Sequence, residues 1–261
     1  MSYQNILLER DGRVAVITHN RPEASNAFAR ESYGEIRDAV EACAASPDIG
    51  CIVITGQGRH FSAGGDIRRF KHLIDTEQYL TTEGIFYAGK MSQAIRQCSK
   101  PVIAMVNGVA TGAGLSLALA CDFRFVTPRS KLIMGFINMG LSGDTGSLYF
   151  LPRLVGVPKA TELMMTAQPV KGEEAVAIGL ATRLCQEETF QEETMAFAQK
   201  LAAAPQGALA RQKAMINRLF FNRMEEYSAV EASDMAECSR TPDFAEAVNA
   251  YLEKRPPHFN Q

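Results

Sequence analysis

The sequence predicts an α/β fold with a helical C-terminal region. Two observations carry this. Cys51–Thr55 and Val102–Val106 are continuous apolar runs, the pattern of strands buried on both faces, and each enters a glycine-rich loop followed by helix-like sequence. From about Glu188 the chain becomes rich in Ala, Glu, Gln and Met, with four helix-like stretches and almost no strand pattern. This divides the chain into a core over 1–187 and a helical appendage over 188–261. A length of 261 residues with 46% apolar content suits such an arrangement.

The elements follow in order. Val14–Thr18 reads as a strand that pairs with Ile6–Leu8 across the Asp11-Gly12 turn. Between Glu31 and Ala45, Tyr33, Ile36, Val40 and Cys43 recur at helical spacing. After the Cys51–Thr55 strand comes a glycine loop from Gly56 to Asp66. Apolar positions then recur irregularly as far as Tyr87, which predicts a mobile or ligand-contacting region, and residues 89–98 look helical. Val102–Val106 enters a second glycine turn, Asn107 to Gly114, and then the helix Leu115–Ala120. Phe123–Val126 is another strand. Glu173–Ile178 reads as a helix closed by Gly179. Pro205 and Pro242 divide the C-terminal helices.

Composition narrows the function classes. The formal net charge is −2, with Lys and Arg scattered, which argues against nucleic acid or an anionic membrane as main partner. Pro101 to Cys121 is uncharged over about a membrane's length. It also holds Asn107, Thr111, Ser116 and three glycines, so it reads as strand, turn and buried helix. The six cysteines form no CxxC pair, and the N-terminus has no signal pattern. This predicts free thiols and a cytoplasmic location. Four dispersed histidines predict no metal site.

The two glycine loops are the first candidates for chemistry. A loop that leaves a strand and opens a helix presents unpaired N–H groups and the positive end of the helix dipole. Such a place binds phosphate or stabilises an oxyanion, although glycines also serve turns alone. Gly112-Ala113-Gly114 begins like a dinucleotide fingerprint, but Leu117 stands at the third glycine position, and no Walker loop occurs.

Asn20-Arg21-Pro22-Glu23-Ala24-Ser25-Asn26-Ala27 resembles the NRPEALNAL segment of the crotonase (enoyl-CoA hydratase/isomerase) family. The run from Gly58 to Ile67 is similar to its GRAFSAGADI. Lys100-Pro101-Val102 through Gly114 is similar to its KPVIAAVNGxAxGGG, and Cys121-Asp122, Leu151–Gly156 and Glu253–Pro256 fit as well. The order and spacing cover nearly the whole chain. The resemblance implies a crotonase-type spiral of repeated ββα units with a C-terminal helical region that trimerises, as a homotrimer or a hexamer of two trimers. It implies an acyl-CoA thioester partner, with coenzyme A as part of the substrate and no prosthetic group. The implied oxyanion donors are the N–H groups of Gly65 and Ala113. An alanine in place of the usual glycine keeps its N–H, and the donor survives if its φ is negative. Ala24, Ser25, Ala63 and Ile67 map to the coenzyme A contacts, and Arg21 to phosphate or simply to a surface charge.

Hydratases of the family use two glutamates. Here the first position holds Ser116 and the second falls near Phe136, so ordinary hydration is not expected. Asp144 remains, in Gly140–Tyr149, which resembles the isomerase-like branch that includes the phenylacetyl-CoA catabolic isomerase. A dehalogenase would need a histidine near Gly89 and a tryptophan, and the chain has neither. One carboxylate suits proton transfer between two carbons of one substrate, and burial beside an acyl chain would raise its pKa. The structural alternative is that Asp144 caps a helix starting near Thr145. Asp66 reads as a helix cap, Ser116 as a packing residue and His60 as a loop residue. Tyr87 and Tyr149 are the weaker candidates for contact with the acyl group. The leading expectation is an enoyl-CoA isomerase. The alternatives are a hydratase or other thioester lyase with atypical acid–base groups, and a non-catalytic acyl-CoA-binding protein.

Overall fold

The structure is a computed structural model that describes residues 3–260. Its strands are β1 (Ile6–Asp11), β2 (Val14–His19), β3 (Cys51–Gly56), β4 (Val102–Val106), β5 (Val109–Thr111), β6 (Phe123–Val126), β7 (Lys131–Ile133), β8 (Val170–Lys171) and β9 (Arg183–Leu184). Its α-helices are α1 (Arg30–Ala45), α2 (Ile67–Asp75), α3 (Thr82–Gln97), α4 (Ala113–Ala120), α5 (Ser147–Val155), α6 (Val157–Thr166), α7 (Gly172–Ala177), α8 (Phe190–Ala203), α9 (Gln206–Phe220), α10 (Met224–Cys238) and α11 (Pro242–Glu253). Six strands form one sheet in the order β1-β2-β3-β4-β6-β9, and β5-β7-β8 form a second. β1 and β2 are antiparallel, and every later pairing in the large sheet is parallel. The parallel neighbours explain the apolar runs, because β3 and β4 are buried along their whole length.

The hairpin turns at Gly12, whose φ of 58° is left-handed, as a tight turn requires. The uncharged stretch from Pro101 to Cys121 is β4, β5 and α4, and no helix among the described residues is long and apolar enough to cross a membrane. All six cysteines are free.

The region after Asp66 differs from its expectation. Two helices occupy it, and α3 begins seven residues before the helical pattern was legible. Gly84 and Gly89 dilute the pattern, since glycine is a weak helix former. Side-chain caps compensate: the Arg68 N–H donates to Asp66 Oδ1 at 3.0 Å and the Gly84 N–H to Thr81 Oγ1 at 3.1 Å. Asp66 thus fills its expected capping role.

The C-terminal helices bear on the rest of the molecule at several points. Phe190, Ala198 and Ala202 of α8 join Val14, Val53, Ile103 and Phe125 in a second core on one face of the large sheet. α9 is tied down by charge. Lys213 Nζ donates to Asp122 Oδ2 at 2.7 Å and to the carbonyls of Ile95 and Lys100, and Arg96 lies 3.3 Å from Asp122 Oδ1. Asp122 also accepts the Val102 N–H at 2.9 Å. Removing one partner of a buried ionic cluster leaves the other charges uncompensated. Asp122→Ala is therefore expected to lower stability by about 3 kcal/mol or more, measured by urea unfolding. An equal midpoint for both proteins would deny the cluster this role.

Candidate active site

Parallel strands put the loops that leave them at one end of the sheet. The loops after β2, β3 and β4 meet there because the three strands are neighbours. Two buried or half-buried asparagines bind them together. Asn26 Nδ2 donates to the carbonyls of Gln57 and His60 at 2.9 and 2.6 Å, and its Oδ1 accepts the Arg21 N–H at 3.0 Å. Asn107 Nδ2 donates to the carbonyls of Gly56 and Gly58 at 2.7 and 2.8 Å. Backbone bonds complete the contact: Thr111 N–H to the Ser62 carbonyl at 3.0 Å, and Phe28 N–H to the Gly64 carbonyl at 2.7 Å. Gly64 permits this approach. A Cβ there would lie 2.7 Å from the Thr111 carbonyl oxygen.

A cavity of about 760 Å³ opens at this end, and its wall includes Gly65, Ala113 and Asp144 together. Ala24, Ser25, Ala63 and Ile67 line it as well. Ala113 is the first residue of α4 and has helical backbone, so its φ is negative and its N–H belongs to the unpaired first turn. Gly65 also has a negative φ, and neither N–H donates to another group among the described residues. Arg21 lies outside this wall. Its guanidinium donates to the Ala27 carbonyl at 2.6 Å and to Asp66 Oδ2 at 3.0 Å, so it braces the first two loops.

Asp144 is buried, with 6% of its surface exposed. Burial raises its carboxyl from 3.8 to about 6, against a hydrogen bond from Thr145 Oγ1 and the charge of Arg69, which pull it down. The Asp144 side chain does not cap a helix. α5 begins at Ser147, after Gly146, and only the Asp144 backbone carbonyl meets it, accepting the Ser147 N–H at 3.0 Å. The backbone around it is unusual. Gly143 and Gly146 have φ of 121° and 89°, and Thr145, a β-branched residue, has φ of 54°. Such a conformation costs about 1–3 kcal/mol and persists only when neighbours hold it.

Ser116, which stands where a hydratase glutamate is expected, is one of those neighbours. Its hydroxyl donates to the Gly112 carbonyl at 3.2 Å and to the Asp144 carbonyl at 3.3 Å. Phe136 lines the cavity at the second glutamate position. Tyr87 and Tyr149 do not line it. Tyr149 is fully buried and donates to the Asn222 carbonyl at 2.8 Å, and Arg37 covers the Tyr87 ring.

Sequence reasoning missed two residues here. Tyr33 lines the cavity, stacked on Phe28 at 4.5 Å between ring centroids. Burial and the nearby Asp144 raise its hydroxyl pKa, so it stays protonated. Helical periodicity assigned Tyr33 to the core, and nothing in the pattern separates a buried tyrosine from one that faces a cavity. Arg69 is half-buried on α2 without an ion-pair partner among the described residues, and its charge acts on both Asp144 and Tyr33.

Comparison with known proteins agrees with this geometry. A family model described as enoyl-CoA hydratase/isomerase matches residues 9–261. A crotonyl-CoA hydratase of Syntrophomonas wolfei is 35% identical over 260 residues, covering 99% of both chains. A trans-2-decenoyl-[acyl-carrier-protein] isomerase of Streptococcus mutans is 31% identical, again over 99% of both. The crystal structure of an enoyl-CoA hydratase from Mycobacterium avium subsp. paratuberculosis superposes with a TM-score of 0.91 at 27% identity, covering all of both chains. The chain belongs to the enoyl-CoA hydratase/isomerase family.

Proposed function

We propose that this enzyme is an enoyl-CoA isomerase of the isomerase-like branch, cytoplasmic, moving a double bond by proton transfer through Asp144. One observation carries the reading: a single buried carboxyl, raised to about 6, shares a cavity wall with the free N–H groups of Gly65 and Ala113. By the family resemblance the first hydratase glutamate position holds Ser116 and the second falls near Phe136, and neither side chain can move a proton as a carboxylate does.

A 3-enoyl thioester enters with its carbonyl oxygen between the N–H groups of Gly65 and Ala113. Asp144 takes a proton from carbon 2. The electron pair left behind conjugates with the thioester, and the charge gathers on the oxygen under the two donors. Loss of one such donor typically costs about 2.7–4 kcal/mol of barrier. The protonated Asp144 then gives the same proton to carbon 4, and the double bond lies between carbons 2 and 3. A carboxyl near 6 is a stronger base than an ordinary aspartate and still ionises at neutral pH. Ala24, Ser25, Ala63 and Ile67 contact the coenzyme A part of the substrate, and no prosthetic group takes part.

A second reading is hydration of a 2-enoyl thioester, with Asp144 activating water. The 35% identity to a crotonyl-CoA hydratase favours it. Self-association as a homotrimer accompanies either reading, supported by exposed Met215, Leu219, Phe220 and Val230 on α9 and α10.

With a 3-enoyl-CoA substrate, the appearance of the conjugated thioester is expected, and Asp144→Asn should reduce kcat by about 10²–10⁴. No conversion by the wild type, or full activity in the variant, would sink the isomerase assignment; a 3-hydroxy product from 2-enoyl-CoA would favour hydration instead.

The base must be ionised, so kcat/KM should fall as pH drops through about 6. A profile flat from pH 8 to pH 5 would remove Asp144 from the rate-limiting proton transfer.

Stability should respond in the opposite sense. The folded-state pKa lies above the unfolded value, so the stability that protonation provides is present below 3.8 and lost as pH rises through about 6. A shift of about two units corresponds to about 3 kcal/mol. Asp144→Asn is thus expected to be more stable than wild type at pH 7.5 by up to that amount, with the gap closing near pH 4. Thermal unfolding at the two pH values checks this, and an equal gap at both would contradict it.

A further inference from the structure

The Asp144 loop holds a conformation that its residues do not prefer, so something outside the loop must hold it. Thr145 and Gly146 are consecutive left-handed residues immediately after the carboxyl, and they decide where it points. Three contacts fix them. Ser92 Oγ on α3 donates to the Thr145 carbonyl at 2.6 Å, and Ser116 Oγ donates to the Asp144 carbonyl. The third comes from the far end of the chain. Glu231 on α10, 1% exposed, accepts the Gly146 N–H on Oε2 and the Leu148 N–H on Oε1, both at 2.8 Å.

This third contact has an unusual form. The N-terminus of α5 has no capping side chain from its own loop. A carboxyl 83 residues away in sequence from Leu148 supplies the cap instead. A neutral polar group could satisfy one N–H. A carboxylate satisfies two at once and sits at the positive end of the helix, so it clamps the turn from both sides of Ser147. No basic side chain pairs with Glu231 among the described residues, and the groups that favour its charge are backbone N–H groups, those of Gly146 and Leu148 and, more weakly, that of Tyr149. Burial pushes the Glu231 carboxyl up and the charge of Asp144 adds to the rise, while the Gly146 and Leu148 N–H groups on its two oxygens favour the ionised form and pull it down. An acid buried at such a cost, with no access to the cavity, points to a role in geometry.

We infer that Glu231 is the positioning residue for Asp144, fixing the left-handed Thr145-Gly146 turn that aims the catalytic carboxyl into the cavity. This inference rests on Asp144 being the base, and the test below separates the two. It also ties the C-terminal helical region to the chemistry, because the same helix exposes Tyr227 and Val230 on its outer side.

The test compares Glu231→Gln, Asp144→Asn and the double variant, each as the full chain. Gln keeps the shape and one acceptor oxygen but turns an amide N–H₂ toward the second backbone N–H. Glu231→Gln is expected to lower kcat on a 3-enoyl-CoA about tenfold or more with KM within twofold. In the Asp144→Asn background it should change nothing further, since a positioning residue acts only through the group it positions. A loss that multiplies with that of Asp144→Asn would overturn the proposal, as would wild-type kcat in Glu231→Gln. Carbon-13 NMR titration of the Asp144 carboxyl provides an arm that needs no turnover. Release of the turn should bring that carboxyl down toward the ordinary aspartate range in Glu231→Gln and also in Glu231→Asp, which keeps the negative charge but not the reach, and an unchanged titration in Glu231→Asp would overturn the role. If the wild type converts no 3-enoyl-CoA, the isomerase reading fails, and the titration alone decides the positioning role.

Discussion

A carboxylate in an apolar interior is costly, and the site is organised around holding one there. Asp144 could lower its energy by turning outward to water. The strained turn after it, the serine hydroxyls on its backbone and the Glu231 clamp all oppose that movement. The energy lost in stability reappears as base strength, since the burial that destabilises the ionised form also raises its affinity for a proton. Stability and reactivity are here two readings of one desolvation.

The oxyanion donors depend on a different constraint, the parallel order of β2, β3 and β4. Neighbouring parallel strands deliver their loops to the same end, and Asn26 and Asn107 bind those loops by accepting and donating to backbone groups that would otherwise be unpaired. The two asparagines of the first and third sequence motifs are thus braces. The N–H group of Ala113 is free because it opens α4, where the first-turn donors have no carbonyl to reach, and that of Gly65 meets no acceptor among the described residues. Preorganisation of this kind means that no reorientation is needed when charge develops on a bound oxygen.

Much of this was legible in the sequence, for definite reasons. β3 and β4 were readable because a strand buried on both faces has no polar alternation, and the four C-terminal helices because their composition shifts at about Glu188. The motifs placed Gly65, Ala113 and Asp144 as candidates, and the fold brings all three to one cavity. Other features depend on contacts between distant parts of the chain, which no local pattern records. The start of α3 was hidden by two glycines whose cost its Thr81 cap offsets. Tyr33 looks like any core residue of an amphipathic helix. Glu231 looks like one more surface glutamate among many in a charged helix, and only the close approach of α10 to α5 reveals it. Arg21 reads from the motif as a phosphate contact or a surface charge, and its bonds to Ala27 and Asp66 depend on two loops meeting, which no local pattern records.

The central claim is that one carboxyl carries the proton between two carbons of the same substrate. A single-turnover reaction of a 3-enoyl-CoA deuterated at carbon 2, in ordinary water, tests it most directly. The account predicts that a share of the product carries deuterium at carbon 4, because Asp144 returns what it removed before the proton can exchange fully. Product whose carbon 4 hydrogen comes wholly from water, in the first turnover, would mean that separate groups remove and deliver the proton, and would contradict the account.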